Sequence, residues 1–491
     1  MKKNKLILIL SLFLSFSFTT VYPNQQEEMA ADTNETALTE TVESNTDSDI
    51  DSNTEQEIFV PTFRNYLLSY LTTQADNIFL SFYNRTIVVQ AYATTNLDIM
   101  WHNITNPWVW DDDEFNINQA GHPYQGSMYF QGARANGLNF YESLAVAAFG
   151  SLTWELLMEN ETPSFNDIII TPVQGALFGE VLHRIYLDTT GKIPVLPALI
   201  APQSALNHFI TGTPCPNNSH SHIQVFTLGA GAGLYNTFKN NSNPLFERLN
   251  NAQIDLNVIL KYGDVYSEST FVPLESFSLD AIGGLNFPST YLVFLNGDGL
   301  LLSFIPDFKN PTALSLDMLY QYYEAFGELN FSNNALGATI QQKININDDT
   351  SIEWKEQLQF AYLTGYDCHY LLVEGEGKRR DPYGREQRLY DLGIGIANSA
   401  GFTFNNPTIG NFKLDTYAGI YKTIPVTVQT EGSDGFSMIE YISLDYEHKI
   451  YKNLYFAVNS LFYFRQAFYD DLENYTQFTN NTTAFVRYKF L

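Results

Sequence analysis

Residues 336–347 read LGATIQQKININ, a run in which apolar and polar side chains alternate over most of its length. The apolar set is Leu336, Ala338, Ile340, Ile344 and Ile346, and the polar set is Thr339, Gln341, Lys343 and Asn345. Side chains of a β-strand point alternately to its two faces, so a period of two separates the two sets. The segment therefore predicts a strand with one apolar and one polar face.

The same period continues from about residue 222 to the C-terminus, as in ISLDYEHKI at 442–450. The pattern predicts about 10–14 strands, many of them about ten residues long, which is the length that a tilted strand needs to cross a bilayer. Lys452 and Asn453 predict a short turn between two strands. The sequence NGDG at 296–299, between YLVFL and LLLSF, predicts a hairpin.

The last eight residues, AFVRYKFL at 484–491, alternate in the same way. They resemble the terminal strand of bacterial outer-membrane barrels, which usually ends on an aromatic residue, although here Leu491 follows Phe490. The 37 Phe and 31 Tyr are an excess expected of aromatic girdles. We therefore predict an α+β fold, an antiparallel transmembrane β-barrel over 222–491 with a helical section packed in or beneath it. A large soluble β-sandwich or propeller is the alternative.

The first part of the chain predicts export. Residues 1–24 combine three lysines with an apolar run, which is the composition of a signal peptide. Residues 25–57 are acidic and poor in large apolar side chains, so we expect a disordered tether. The net charge of −28 argues against nucleic acid as a partner. The predicted location is the bacterial outer membrane, with its lipid and the barrel-assembly machinery as partners.

Residues 58–221 predict a mainly helical domain. Apolar residues recur at three- and four-residue steps in 140–156, which is the pattern of one helix face. They are Phe140, Leu144, Ala147, Ala148, Leu152 and Leu156. Ser164 and Asp167 have the spacing of a helix start, and we expect Pro172 to interrupt the helix that follows.

Polar residues stand among the apolar, helix-spaced residues of 110–184. They are Asp111, Asp112, Asp113, His122, Arg134, Glu155, Ser164, Asp167 and Glu180. A buried polar group without a partner is costly, so we expect these side chains to be paired with one another or to serve a function.

This block resembles a bacterial family known as domain of unknown function 3943. The matching residues include Trp110 to Asp113, Phe115, Asn118, His122 to Tyr124, Gly126, Arg134, Trp154, Glu155, Ser164, Asp167, Pro172, Gly175 and Glu180. The resemblance implies an exported envelope protein, and it brings no catalytic residue with it.

His122, Glu155 and Asp167 are the candidates for chemistry. An imidazole beside carboxylates is able to orient and deprotonate a water or a hydroxyl. The alternative is a buried histidine that holds helices together through hydrogen bonds. Ser164 lacks the G-x-S-x-G elbow of a nucleophile, and a helix N-cap accounts for it equally well.

No cofactor or metal is predicted. The acidic run that begins at Asp111 lacks the spacing of an EF-hand calcium loop. Glu180 and His183 form only one copy of a pair that di-iron bundles carry twice. Cys215 and Cys368 are the two cysteines, and the sequence leaves open whether they form a disulfide.

A basic loop stands out in this acidic chain. It contains Lys378, Arg379, Arg380 and Arg385, and Arg388 follows it. These side chains are candidates for binding the phosphate or carboxylate groups of a lipid or glycan. The alternative is a solvated hairpin whose arginines pair with neighbouring acids.

Together these features predict an integral outer-membrane barrel with a structural, transport or binding role, whose helices plug or line the barrel. The alternative is an envelope hydrolase that acts on lipid or glycan through His122, Glu155 and Asp167.

Overall fold

The computed structural model describes residues 60–88, 91–192, 195–211, 222–240, 249–286, 290–326, 328–368, 388–428 and 432–491. The predicted signal peptide and acidic tether lie outside these ranges, as do Cys215 and the basic residues Lys378, Arg379, Arg380 and Arg385. Cys368 is described, and it is buried. The disulfide therefore stays an open question.

The first part of the described chain is helical. The helices are α1 Phe63–Tyr83, α2 Leu97–Thr105, α3 His122–Ala135, α4 Phe140–Leu157, α5 Phe165–Thr189, α6 Leu196–Ile200 and α7 Pro202–Thr211. We call α1–α7 and their connections the helical block. Across the described residues, no helix is both long enough and apolar enough to cross a membrane.

The prediction that Pro172 interrupts a helix is wrong, because α5 runs through it without a break. At this point α5 packs closely against α3. A Cβ atom added to Gly126 of α3 would lie 1.8 Å from the Thr171 carbonyl oxygen, and one added to Gly175 of α5 would lie 2.5 Å from the Gly126 carbonyl carbon. The backbones of the two helices touch at these glycines, which have no side chain. This packing compensates for the one hydrogen bond that Pro172 removes from α5.

Twelve strands follow. They are β1 Ile223–Asn240, β2 Leu249–Tyr262, β3 Phe277–Asn286, β4 Thr290–Phe304, β5 Thr312–Ala325, β6 Leu329–Asn347, β7 Thr350–Asp367, β8 Tyr390–Asn406, β9 Gly410–Thr423, β10 Gly435–Tyr451, β11 Leu454–Tyr469 and β12 Tyr475–Lys489. Each strand pairs antiparallel with its neighbours, and β12 returns to pair with β1. Closure removes the unpaired edges that an open sheet would expose. The predicted antiparallel barrel is confirmed, with twelve strands, and β10 and β11 meet at the predicted Lys452-Asn453 turn.

The predicted hairpin at 296–299 is wrong, because these residues lie inside β4. Gly297 and Gly299 lie on the same face of β4, and Leu177 of α5 packs against that face. A Cβ atom on Gly299 would lie 2.8 Å from Cδ1 of Leu177. These glycines let α5 approach the sheet closely. Glycine in a strand often marks such a close approach, whereas glycine between strands marks a turn.

The two faces of the barrel wall differ sharply. The inward face carries a cluster of buried aromatic and aliphatic residues, including Tyr323, Phe331, Tyr417, Tyr441 and Tyr463. The outward face exposes large apolar residues such as Leu256, Leu358 and Ile396. An apolar outer belt is what a bilayer covers, so the barrel has the surface of a transmembrane protein.

The helices lie outside the barrel, which corrects the prediction that they plug or line it. On β5, Leu319, Gln321 and Tyr323 point inward, whereas Tyr320 and Tyr322 point outward with the exposed Leu314. Tyr320 and Tyr322 are nevertheless buried, because they belong to the cluster that packs against Phe115 and α3–α5. The lumen is already filled by side chains of the strands, which leaves the outer wall as the surface where the block packs.

The buried polar centre of the helical block as a candidate functional site

Four of the predicted site residues meet where α3, α4 and α5 converge. His122 is the first residue of α3, and Glu155 lies in the last turn of α4. Ser164 is the N-cap of α5, and Asp167 lies in the first turn of that helix. All four side chains are buried. We call these residues the polar centre.

Hydrogen bonds hold the polar centre together. The Ser164 backbone N–H donates to Oε2 of Glu155 over 2.8 Å, and the Ser164 hydroxyl donates to Oδ2 of Asp167. The Asp167 N–H in turn donates to Oγ of Ser164 over 3.2 Å. On the far side of Asp167, Oδ1 lies 3.5 Å from Nε2 of His122 and accepts a hydrogen bond from Asn166. Asp167 thus bridges the serine and the histidine.

Burial controls the charge of these groups. It lowers the pKa of His122, which favours the neutral imidazole at neutral pH. Burial also raises the pKa of Glu155, and the nearby Asp167 carboxylate adds to that rise. Burial likewise raises the pKa of Asp167. The centre therefore favours neutral, hydrogen-bonding forms over separated charges.

The arrangement differs from that of a serine hydrolase. In such enzymes the nucleophile donates to an imidazole that is oriented by a carboxylate. Here Ser164 donates to the carboxylate of Asp167 itself, and its oxygen caps α5. The N-cap prediction for Ser164 is confirmed. The structure brings His122, Glu155 and Asp167 together, and these groups are able to transfer a proton. The Ser164 hydroxyl, however, is bonded to a carboxylate and not to the imidazole that would activate it.

The acidic run lies beside this centre. The Asp111 N–H donates to Oδ1 of Asn166, and the Asp113 N–H donates to Oδ2 of Asp111. Asp111, Asp113 and Glu161 each offer an oxygen within 4.8 Å of the others. Carboxylates gather in this way in solvated loops without an ion, so the cluster by itself identifies no metal.

Arg388 connects the acidic run to the barrel. Its guanidinium donates to the carbonyl oxygens of Asp111, over 2.7 Å, and of Thr427, and it lies 3.8 Å from a carboxylate oxygen of Asp112. The side chain is almost fully buried. Arg388 follows the predicted anion-binding loop, but its donors are used within the protein.

Arg134 and Glu180 form a separate clamp with Arg184. Nε of Arg134 lies 2.6 Å from one Glu180 oxygen, and Nε of Arg184 lies 2.9 Å from the other. Burial alone would raise the pKa of Glu180, but the two guanidinium groups outweigh it and hold the pKa well below its usual range. Arg184 also donates to the Pro273 carbonyl oxygen in the β2–β3 connection, so the clamp attaches α5 to the barrel.

Glu180 is therefore occupied by arginines rather than available beside His183. The imidazole Nδ1 of His183 instead lies 3.3 Å from Oγ of Ser204 in α7. This pair serves the packing of α5 against α7.

Sequence reasoning missed a second polar network. Nδ2 of Asn77 donates to the Gly150 carbonyl oxygen and to Oγ1 of Thr153, over 3.0 Å and 2.9 Å, and Oη of Tyr129 donates to Oδ1 of Asn77. A signal for it was present in α1. Ser69, Thr73 and Asn77 recur every four residues, which marks a polar helix face.

Polar contacts to the outer barrel wall were also missed. Oε1 of Gln119 accepts from Oγ of Ser332 over 2.8 Å, and Nδ2 of Asn118 donates to Oη of Tyr390 over 2.7 Å. Phe115 stacks on Tyr322 with ring centroids 5.2 Å apart. Local sequence carries no trace of these contacts, since the partners are more than 200 residues apart.

Solved structures that resemble the chain include a porin, an outer membrane channel and the transport unit of an autotransporter. The NanC porin is 9% identical, with 51% of this chain and 98% of that chain covered and a TM-score of 0.23. The COG4313 outer membrane channel from Pseudomonas putida F1 is 9% identical, with 56% and 100% covered and a TM-score of 0.26. The transport unit of the autotransporter AIDA-I from Escherichia coli is 11% identical, with 58% and 97% covered and a TM-score of 0.23.

Because these similarities are low, the assignment of a barrel rests on the strand pairing of this chain itself. No curated protein matches the chain. Residues 107–194, from the acidic run through α5, match the model of the family described as Domain of unknown function (DUF3943), which confirms the resemblance found in the residues of this block.

Proposed function

We propose that this chain is an outer-membrane protein in which a sealed barrel supports the helical block, and that the block has a binding role. The barrel is the membrane anchor in this proposal, and it is not an open diffusion channel. The observation that carries the proposal is the row of side-chain contacts across the lumen.

These contacts join strands that are far apart around the barrel. Nε2 of Gln321 on β5 donates to Oη of Tyr441 on β10 over 2.5 Å, although the two strands are five positions apart in the strand order. The rings of Phe331 on β6 and Tyr463 on β11 lie 6.2 Å apart. Nothing as large as a hydrated solute passes between rings in such contact. We call Tyr323, Phe331, Tyr417, Tyr441 and Tyr463 the aromatic layer.

The binding role is assigned to the helical block because the block carries the polar centre and the Arg134–Glu180 clamp. A lipid or glycan of the outer membrane is the ligand class that fits the predicted location. The barrel-assembly machinery is the expected partner during insertion, because the backbone groups of the strands are unsatisfied in lipid until the barrel closes.

Ion conductance of the purified full-length protein in planar lipid bilayers tests this proposal. We expect no steady conductance from the wild type. A variant with Tyr323→Ala, Tyr417→Ala and Tyr441→Ala empties part of the aromatic layer and is expected to conduct. The matched control Phe360→Ala removes an aromatic ring from the lipid-facing wall and should stay closed. A stable open level in the wild type would overturn the proposal.

A second candidate is a hydrolase that acts on envelope lipid or glycan. The meeting of His122, Glu155 and Asp167 in one buried cluster favours it. The bond from Ser164 to Asp167 argues for the structural role instead. Substitution of Glu155, discussed below, separates the two.

A further inference from the structure

The first helix of the helical block, α1, is inverted relative to a helix on the surface of a water-soluble domain. In α1 the buried residues are Ser69, Thr73 and Asn77, all polar. The exposed residues are large and apolar, with Phe63 80% exposed, Phe79 68% exposed and Phe82 61% exposed. A helix that packs against a core in water shows the opposite pattern, with apolar residues inside and charged residues outside.

Two other helices of the block also expose large apolar residues. Trp101 and Ile104 of α2 and Phe209 and Ile210 of α7 are more than half exposed. Within α1, Asp76 is the one residue with a carboxylate, and its two oxygens accept from Nε2 of Gln203 in α7. Arg64 and Arg85 stand at the two ends of the helix, where long basic side chains are able to reach a polar boundary. Patches of this extent mark a surface that is covered in the native environment.

The lipid-facing wall of the barrel identifies what covers this surface. On β2, Leu260 is buried beneath the block, whereas Leu256, two outward positions further along the same strand, is 62% exposed. On β7, Leu363 is buried and Phe360 is half exposed. The apolar belt of the barrel thus runs directly to the edge of the block. The block is therefore flanked by wall residues that lie in the hydrocarbon of the bilayer.

A groove in this surface lies between α1 and α4. It has a volume of about 270 Å³, and its lining includes Tyr66, Tyr70, Glu142, Ala145, Val146 and Phe149. The rings of Tyr70 and Phe149 form its wall at 5.2 Å. At one end Oη of Tyr66 donates to Oε1 of Glu142 over 2.5 Å. The groove is therefore apolar along its length and polar at one end, as an acyl chain and its headgroup are.

We infer that the exposed face of the helical block lies in bilayer lipid and that the α1–α4 groove holds an acyl chain of a membrane lipid. The inference rests on the proposed function, in which the block lies beside the barrel in the outer membrane. It adds the ligand class and the place of binding. Lipid is the occupant rather than a protein partner because the block packs on the outer wall of the barrel, whose exposed apolar residues lie in bilayer hydrocarbon.

Spin labelling tests the lipid contact. In the full chain with Cys215→Ser and Cys368→Ser, single cysteines replace Phe79, Leu256 or Asp349 and carry a nitroxide in phospholipid vesicles. We expect the label at Phe79 to match the lipid-facing Leu256, with strong relaxation by oxygen and weak relaxation by a water-soluble nickel chelate. Asp349, in the β6–β7 turn, is the water-facing control. A Phe79 label that behaves like Asp349, or that shows dipolar coupling to a second copy, would overturn the inference.

Cross-linking tests the groove. Vesicles contain phosphatidylethanolamine with a diazirine at the end of one acyl chain, and labelled peptides are identified by mass spectrometry. We expect labelling of residues 66–73 and 142–149. Ala145→Trp fills the groove and should lower this labelling at least about five-fold, which corresponds to a loss of about 1 kcal/mol in binding free energy. Ile254→Trp on the barrel wall is the control that keeps the labelling. Unlabelled groove peptides, or labelling that Ala145→Trp leaves unchanged, would refute lipid binding there. Conductance of the same samples reports separately on the sealed barrel.

Discussion

At the scale of single residues, Glu155 decides between the two candidate functions. Its carboxylate accepts from the buried Ser164 N–H, so Glu155→Ala leaves that donor without a partner and should cost about 1–3 kcal/mol of stability. Glu155→Gln keeps an oxygen acceptor and should unfold close to the wild type. Thermal unfolding followed by circular dichroism at 222 nm measures both. The wild type of a hydrolase would release fatty acid from labelled envelope lipid. If Glu155→Gln folded normally yet lost this release, and His122→Gln lost it too, the structural role would be contradicted.

At the scale of secondary-structure elements, the contact between α3 and α5 is the sensitive point. Gly126→Ala would place a methyl group 1.8 Å from the Thr171 carbonyl oxygen, so the helices must separate. We expect a loss of about 1–3 kcal/mol, as for other overpacked contacts. Gly121→Ala is the matched control, since its nearest non-neighbouring atom would be 3.7 Å away. Urea unfolding in detergent measures the difference. Equal stability of the two variants would show that the close approach is not important for packing.

At the scale of the whole molecule, the block and the barrel should be separable. Tyr322→Ala removes the outward ring on which Phe115 stacks, but it leaves the lumen and the strand pairing unchanged. We expect the unheated barrel to keep its faster migration on SDS-PAGE while protease cleaves the loosened block more rapidly. Leu314→Ala, on the same face of β5 but exposed, should change neither property. If Tyr322→Ala abolished the heat-modifiable form, the barrel would depend on the block to fold.

The sequence by itself determined the barrel strands and the helix that begins at Phe140, because both depend on local periodicity. A period of two over 336–347 needs only neighbouring residues, and it predicted β6 and its exposed apolar face. The capping role of Ser164 is likewise set by a residue three positions away. The prediction of a hairpin at 296–299 was wrong because glycine occurs both in turns and where a helix approaches a strand closely. Only the approach of Leu177 to Gly299 distinguishes these two cases.

Tertiary structure alone decided on which side of the barrel wall the block lies and which polar residues meet. Periodicity reports that a strand has two different faces, but it does not report what covers each face. Tyr320 and Tyr323 look alike in sequence, yet one lies under the helices and the other in the lumen. The contact of Gln119 with Ser332 and the salt bridge of Arg134 with Glu180 join elements that are distant in the chain. Only the closed barrel, which fills its own interior, left the outer wall as the place for the block.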